Sequence, residues 1–253
     1  EAPAAAARFL IAPPGKGQVI GAPLISPDGR RVVLVVRDAV GRQSLWLRPL
    51  DALDAQQLAG TEAGDQPTAA TAHRELGFVE VQAGRRRTAD SWLAKAEALA
   101  TTDQELAAIG GVRGMNASDM GDYPAALRHL EASVELARRG AAQRQQAWSL
   151  SVLARAHLLR DERSQAAAAV TAALELVHEQ RWMALLPWPE AIQGELKLRA
   201  GHLEAAGQQF EHAWSLGCQI GDPCWESMAA RGLGLINATR GDPATASAWL
   251  AEA

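Results

Sequence analysis

Small residues recur along this chain with a nearly constant period, and this limits the possible folds more than any other feature. From residue 71 onward, a small residue returns at intervals of 37, 40, 40 and 40 residues. Its positions are Gly77, Gly114, Ala154, Gly194 and Gly234. A period of this length is typical of an array of supersecondary units, each of which buries its apolar face only against its neighbours.

Each of these small residues is followed by further residues at fixed distances. Glycine or aspartate comes seven residues later, alanine five residues after that, and a large apolar residue four residues further on. The members are Gly84, Gly121, Asp161, Gly201 and Gly241; Ala89, Ala126, Ala166, Ala206 and Ala246; and Leu93, Leu130, Val170, Phe210 and Leu250. The alanine and apolar positions share one face of a helix, and glycine is typical of the left-handed residue that ends a helix. The spacing therefore predicts pairs of helices, A and B, joined by a tight turn.

These columns resemble those of the tetratricopeptide repeat (TPR), including the "GDY" of residues 121–123 at the turn. The resemblance covers roughly residues 70–253. It implies a mainly α fold, with a TPR-like α-solenoid of about five helix pairs. The period near 40 is longer than the usual 34 of the repeat, and is similar to that of the sensor regions of large bacterial LuxR-type and ATPase regulators. The fifth repeat reaches Ala253 inside its second helix, so we expect a truncated C-terminus.

The N-terminal quarter has a different pattern. A β-branched run over residues 31–38 and an alternating run over residues 42–50 flank a turn at residues 39–41, which predicts an antiparallel hairpin. "APLIS" at residues 22–26 and "QQLAG" at residues 56–60 predict short outer strands. We therefore expect a small antiparallel β unit before the helices.

This unit resembles a single blade of a TolB-like or WD40-like β-propeller. The matching stretches are "ISPDGRRVVLVV", "SLWLRPLD" and "QQLAGTEAGDQP", and Pro27-Asp28-Gly29 supplies the turn residues. One blade cannot close a propeller ring. We therefore interpret the unit as the remnant of a propeller, or as the product of a join between unrelated segments. The predicted organisation is a linker over residues 1–7, the β unit over residues 8–67 and the helical repeats over residues 68–253.

Composition argues against several classes of function. The region 68–253 contains 18 basic and 22 acidic residues, and phosphate binding needs a basic face, so we expect no direct binding of nucleic acid. No apolar run is long enough to cross a membrane. Two cysteines, Cys218 and Cys224, do not form a disulfide framework, which favours a reducing, cytoplasmic location. We expect both thiols to be buried or half-buried.

Chemistry-bearing motifs are weak. The Gly15-Lys16-Gly17 stretch lacks the remaining residues of a phosphate-binding loop. His202 and His212 do not combine with the cysteines at any zinc-site spacing. No serine or cysteine stands in a nucleophile-elbow context. We therefore predict no catalytic, cofactor-binding or metal-binding residues, and no enzyme activity in this region.

The resemblance to TPR proteins implies a site of another kind, since helix A lines the concave groove in that family. The groove positions carried over to this chain are Met115, Asp119, Trp148, Ser151, Arg155, Trp188, Glu195, Arg199 and Arg231. Tryptophan beside arginine is typical of an anchor in a protein interface. Trp148 and Trp188 occupy equivalent places in adjacent repeats, and packing between helix pairs is the alternative role for both.

The predicted function is that of a non-catalytic interaction or sensor module in a bacterial cytoplasmic regulatory or signalling protein. Its groove would bind a protein or peptide partner, or another domain of the same polypeptide. Exposed solenoid ends also allow self-association. The alternative is the C-terminal part of a signalling enzyme, such as a Ser/Thr kinase or an ATPase, or of a DNA-binding transcriptional activator.

Overall fold

The computed structural model describes residues 17–25, 31–49, 55–58 and 66–253. The predicted linker over residues 1–7, the Pro27-Asp28-Gly29 turn, and Gly15 and Lys16 lie outside the described residues. The chain divides into two compact units, Glu1–Ala100 and Thr101–Ala253. The first contains the β unit and one helix pair, and the second contains the remaining helices.

The β unit is a four-stranded antiparallel sheet in the order β1-β2-β3-β4. Its strands are β1 (Gln18–Ile25), β2 (Arg31–Arg37), β3 (Gln43–Pro49) and β4 (Gln56–Gln57). The predicted hairpin is thus confirmed. The first strand begins four residues earlier than "APLIS" predicts, because the sheet accommodates Gly21 within a register irregularity between Ile20 and Leu24.

The hairpin turn and the apolar face of β2 both follow from local sequence. The Asp38 carboxylate accepts hydrogen bonds from the backbone N–H groups of Val40 and Arg42, each at 2.9 Å. Alternation along β2 places Val32, Leu34 and Val36 on one face, where all three are buried. Val19 and Trp46 pack against them.

Ten helices follow in the described residues. They are α1 (Gln66–Gln82), α2 (Arg86–Leu99), α3 (Asp103–Asp119), α4 (Tyr123–Arg139), α5 (Gln143–Leu159), α6 (Arg163–Glu179), α7 (Pro187–Arg199), α8 (Leu203–Ile220), α9 (Pro223–Thr239) and α10 (Pro243–Glu252). Odd-numbered helices correspond to the predicted A helices and even-numbered helices to the B helices. Each A helix packs on the following B helix, which confirms the five predicted pairs.

Helix length explains the period. Helices α3, α4, α5 and α6 each have 17 residues, and three-residue connections join them, so one pair repeats every 40 residues. Helix α2 has only 14 residues, which accounts for the shorter interval of 37. The start of α3 is set by a capping box, in which Thr102 accepts from the Glu105 N–H and the Glu105 carboxylate accepts from the backbone of Thr102. Hydrogen bonds from the Thr101 and Thr102 backbone lower the pKa of the Glu105 carboxyl.

The repeated columns have the expected structural roles. All five turn residues have positive φ, from +59° at Asp161 to +82° at Gly201. The five alanines are buried. A Cβ added at Gly114 would lie 2.6 Å from Leu130 Cδ2, and one added at Gly194 would lie 3.0 Å from the Phe210 ring. The small residue therefore lets helix A approach the large residue of helix B, 16 positions further along the chain.

Within Thr101–Ala253, where every residue is described, the helix pairs stack unequally on their two sides. Successive A helices contact one another, from α3 to α5, α5 to α7 and α7 to α9, whereas successive B helices contact each other only marginally. We call this more closely packed side, on which successive A helices touch one another, the inner face. None of the described helices has the length and apolar content that a bilayer span requires.

Candidate functional site: the inner face of the A helices

Three rows of residues run across the A helices in Thr101–Ala253, and their exposed and half-buried members form the inner face. Each row takes one residue from each of α3, α5, α7 and α9, at intervals of 40. The rows are Gly111, Ser151, Ala191 and Arg231; Met115, Arg155, Glu195 and Leu235; and Asp119, Leu159, Arg199 and Thr239. Because the interval equals the structural repeat, each row runs from helix to helix across the stack.

Ion pairs join neighbouring A helices along this face. Arg155 Nη1 on α5 lies 2.9 Å from Asp119 Oδ1 on α3. Glu195 on α7 accepts from Arg199 on the same helix at 2.7 Å and from Arg231 on α9 at 3.0 Å. Arg199 also donates to the Leu158 carbonyl oxygen on α5 at 3.1 Å. Five predicted groove residues are thereby brought together.

Part of this face is open to solvent. The Arg231 side chain is 53% exposed. Leu159 is 44% and Leu235 38% exposed. Met115 is half-buried. The inner face thus presents both guanidinium groups and apolar side chains to solvent.

Three tryptophans, one each from α5, α7 and α9, form a separate row near the N-terminal ends of these A helices. The rings of Trp148 on α5 and Trp188 on α7 meet edge to face, with centroids 5.6 Å apart. Trp188 in turn stacks on Trp225 of α9 at 5.1 Å. A Cβ added at Gly111 would lie 2.6 Å from the six-membered ring of Trp148, so this glycine makes room for the row on α3.

Two predicted groove residues belong to the interior. Trp188 is only 4% exposed and packs within the main apolar cluster of the repeats. Ser151 is fully buried, and its hydroxyl donates to the Ala147 carbonyl oxygen at 2.9 Å. Trp148 is half-buried beside them. The packing role, left open for the tryptophans by the sequence, is the one that Trp188 has.

Sequence reasoning did not include Trp225, Leu159 or Leu235 in the site. Trp225 follows Trp188 after 37 residues rather than 40, so it falls outside the column although its ring continues the row. Leu159 and Leu235 stand at the same repeat positions as Arg199 and Glu195. Their spacing was therefore a usable signal, but apolar residues in helices are more readily interpreted as core.

The expectation that both cysteines are buried or half-buried is wrong for Cys218, which is exposed. Cys224 is exposed as a residue, although burial raises the pKa of its thiol. Cys218 lies near the end of α8 and Cys224 near the start of α9, whereas the buried positions there are Leu216 and Gly217. His212 bonds the buried Glu190 carboxylate through Nδ1 at 2.8 Å. Among the described residues, no three His, Cys, Asp or Glu side chains converge as a metal site requires.

No protein-family model matches the chain, and no curated protein matches it in sequence. Solved structures do resemble it. BtubC (BKLC) from P. vanneervenii is 16% identical, with a TM-score of 0.59 over 74% of this chain and 79% of that one. Aspartyl phosphate phosphatase F from Bacillus subtilis is 12% identical, with a TM-score of 0.58 over 75% of this chain and 60% of that one.

A putative kinesin light chain from Podosopora anserina, with nearly identical TPR-like repeats, is 14% identical to this chain. Its TM-score is 0.51, over 74% of this chain and 93% of that one. At these identities the likeness establishes the fold alone. The chain has a TPR-like helical-repeat fold, preceded by a small antiparallel sheet.

Proposed function

We propose that this chain is a non-catalytic interaction module of a bacterial cytoplasmic regulatory protein. Its inner face binds a protein partner or another segment of the same polypeptide. The observation that carries this proposal is the continuity of the inner face. Charged and apolar side chains from four successive A helices lie side by side, joined by cross-helix ion pairs and partly open to solvent.

Stability alone is a poor explanation for these side chains. An ion pair at the protein surface contributes about 0–1 kcal/mol to folding, and less in salt. Leu159 and Leu235 gain nothing from exposure to water, yet both lie on the same face. Exposed apolar residues beside arginine are typical of protein interfaces. The face therefore has the composition of a contact surface.

The nine predicted residues divide into two roles under this proposal. Trp188 and Ser151 lie beneath the inner face and hold the A helices together. The contact residues are Met115, Asp119, Trp148, Arg155, Glu195, Arg199 and Arg231, and we add Leu159 and Leu235 to them.

Replacement of Leu235 tests the proposal. Leu235→Glu places a charge on the inner face, and Ile220→Glu makes the same change at the end of α8, a B helix, at a similar exposure of 41%. The unsubstituted chain and both variants serve as bait in lysate from the source cell. We expect Leu235→Glu to lose the bound partner, and Ile220→Glu to retain it.

Circular dichroism melts of the two variants provide the folding control. Equal capture by both folded variants would show that the inner face is not the contact surface. Loss of capture by Ile220→Glu alone would place the interface on the B helices instead.

The alternative function keeps the same fold within a larger polypeptide. The β unit resembles a propeller blade of the kind that commonly follows a linker from a kinase or winged-helix domain. In that case, the catalytic or DNA-binding part lies in another region of a signalling enzyme or transcriptional activator. An immunoblot of the source cell with an antibody to residues 68–253 separates the two cases. A band far above 26.9 kDa favours the alternative, and one at 26.9 kDa favours a free-standing adaptor.

A further inference from the structure

Charge is distributed unevenly over the unit Thr101–Ala253. The unit contains 13 Lys and Arg against 18 Asp and Glu, so its net charge is −5. The inner face has three arginines, Arg155, Arg199 and Arg231, against two carboxylates, Asp119 and Glu195. Its net charge is +1, which leaves −6 for the rest of the unit. The inner face is thus a weakly positive surface on an acidic body.

The excess positive charge lies at Arg231 on α9, because Arg199 on α7 also lies 3.7 Å from the Asp161 carboxylate at the turn after α5. Glu195 is a single carboxylate shared by two guanidinium groups, those of Arg199 and Arg231. Each guanidinium has five N–H donors. Arg231 reaches Glu195 through Nη2 and is 53% exposed, so donors remain on its solvent side for a second carboxylate. Bidentate binding of carboxylate is the geometry that arginine favours.

Apolar side chains flank this arginine on its own helix. Met228 precedes Arg231 by three residues and Leu235 follows it by four, so the three form one stripe along α9. Met228 is half-buried and Leu235 is 38% exposed. A partner segment whose carboxylate binds Arg231 would also bring the side chains next to that carboxylate against Met228 and Leu235.

We infer that the inner face selects an acidic partner segment, in which carboxylates alternate with apolar side chains. A carboxylate of the segment binds Arg231, with Arg199 adjacent, and its apolar side chains pack on Leu235 and Met228. A lysine-rich segment meets unfavourable charge at the same place, because like charges brought together at an interface oppose binding. This inference rests on the proposed function and adds the chemistry of the partner.

Two defined probes test the inference on the full chain. One is a short fluorescein-labelled peptide of alternating glutamate and leucine, and the other alternates lysine and leucine at the same length. Fluorescence anisotropy gives the dissociation constant of each. We expect the glutamate peptide to bind about tenfold more tightly or better, and its affinity to fall as salt is added.

Charge reversal locates the contact. Arg231→Glu should weaken binding of the glutamate peptide by about tenfold or more. Arg138→Glu is the matched control, because Arg138 is an exposed arginine on the B helix α4 that bonds Glu135 on the same helix. It should leave the affinity within about twofold, since screening limits the effect of a distant charge. Arg231→Gln provides a second variant if Arg231→Glu melts early.

Several results would overturn the inference. They are equal affinity for the two peptides, affinity unchanged by Arg231→Glu, or tighter binding of an oligothymidylate than of the glutamate peptide. If neither peptide binds while Leu235→Glu still loses the cellular partner, the face binds proteins but has no acidic preference. If neither peptide binds and Leu235→Glu retains the partner, the proposed function fails as well.

Discussion

At the scale of single residues, the turns between helices contain most of the unusual backbone. Turns inside the helix pairs use glycine at positive φ in four of five repeats, and Asp161 at +59° in the remaining one. Three of the four turns between pairs also contain a positive φ, at Gly221 and at two residues other than glycine, Ala141 at +51° and Arg181 at +54°. A residue with a Cβ is strained in this region, so these turns are not at their stability optimum.

Ala141→Gly should therefore stabilise the protein. Removal of the Cβ relieves about 1 kcal/mol of left-handed strain, partly offset by the greater entropy of glycine in the unfolded chain. Urea denaturation of the pure protein measures the change. Ala200→Gly is the control, because Ala200 has a φ of −83° and glycine there should give no gain. A loss of stability in Ala141→Gly would show that the methyl group makes a contact worth more than the strain.

The residue columns were the most predictable part of the site and of the fold. Gly114 and Leu130 could be paired from their spacing, because helix A approaches the Leu130 side chain of helix B so closely that only a small residue fits at position 114. Spacing could not predict whether Trp188 lies in the groove or in the interior. A tryptophan at the start of an A helix suits either a groove or an interior, and the ring of Trp225, outside the column, decides between them by stacking on it.

At the scale of elements, the tryptophan row joins three A helices through direct ring contacts. Trp188 lies in the middle, in contact with Trp148 on one side and Trp225 on the other. Removal of the central ring leaves a cavity lined by both partners. Removal of Trp148, which is half-buried, exposes less apolar surface.

Trp188→Ala should destabilise the protein by about 3–5 kcal/mol, in the range of large-to-small core substitutions. Trp148→Ala should cost clearly less, because part of its ring already contacts solvent. Chemical denaturation, followed by far-UV circular dichroism, measures both. Equal and small losses of unfolding free energy in the two variants would mean that Trp188 is not part of the core. Trp188 would then be assigned to the contact surface.

Element boundaries followed the sequence well where a helix is bounded by turn residues, and less well in the sheet. The strand β1 extends beyond its predicted start because pairing with β2 overrides the glycine at position 21. The shorter α7, with 13 residues, begins at Pro187 after a longer connection, where proline supplies the first-turn φ. Tertiary pairing and proline geometry, rather than periodicity, determine both boundaries.

At the scale of the whole molecule, the repeats obtain their stability from adjacent pairs. Stability in such arrays is approximately a sum of terms for single repeats and for their nearest-neighbour interfaces. The proposed boundary between the β unit and the repeats lies at residue 67. We expect a chain that lacks residues 1–67 to remain folded.

This truncation should retain a helical spectrum and a cooperative melt, since the core of the repeats is built from α3 to α9. Circular dichroism and thermal melting, compared with the full chain, measure the effect. A large drop in melting temperature, or loss of cooperativity, would show that the β unit is an integral cap of the repeats.

The central claim is that the inner face of the A helices is the contact surface, and site-specific photo-crosslinking in the source cell tests it most directly. Benzoylphenylalanine is placed at Leu235 on the inner face or at Ile220 at the end of a B helix, in the full native polypeptide. We predict crosslinked partner from position 235 and none from position 220. Crosslinks from position 220, with none from position 235, would contradict the account.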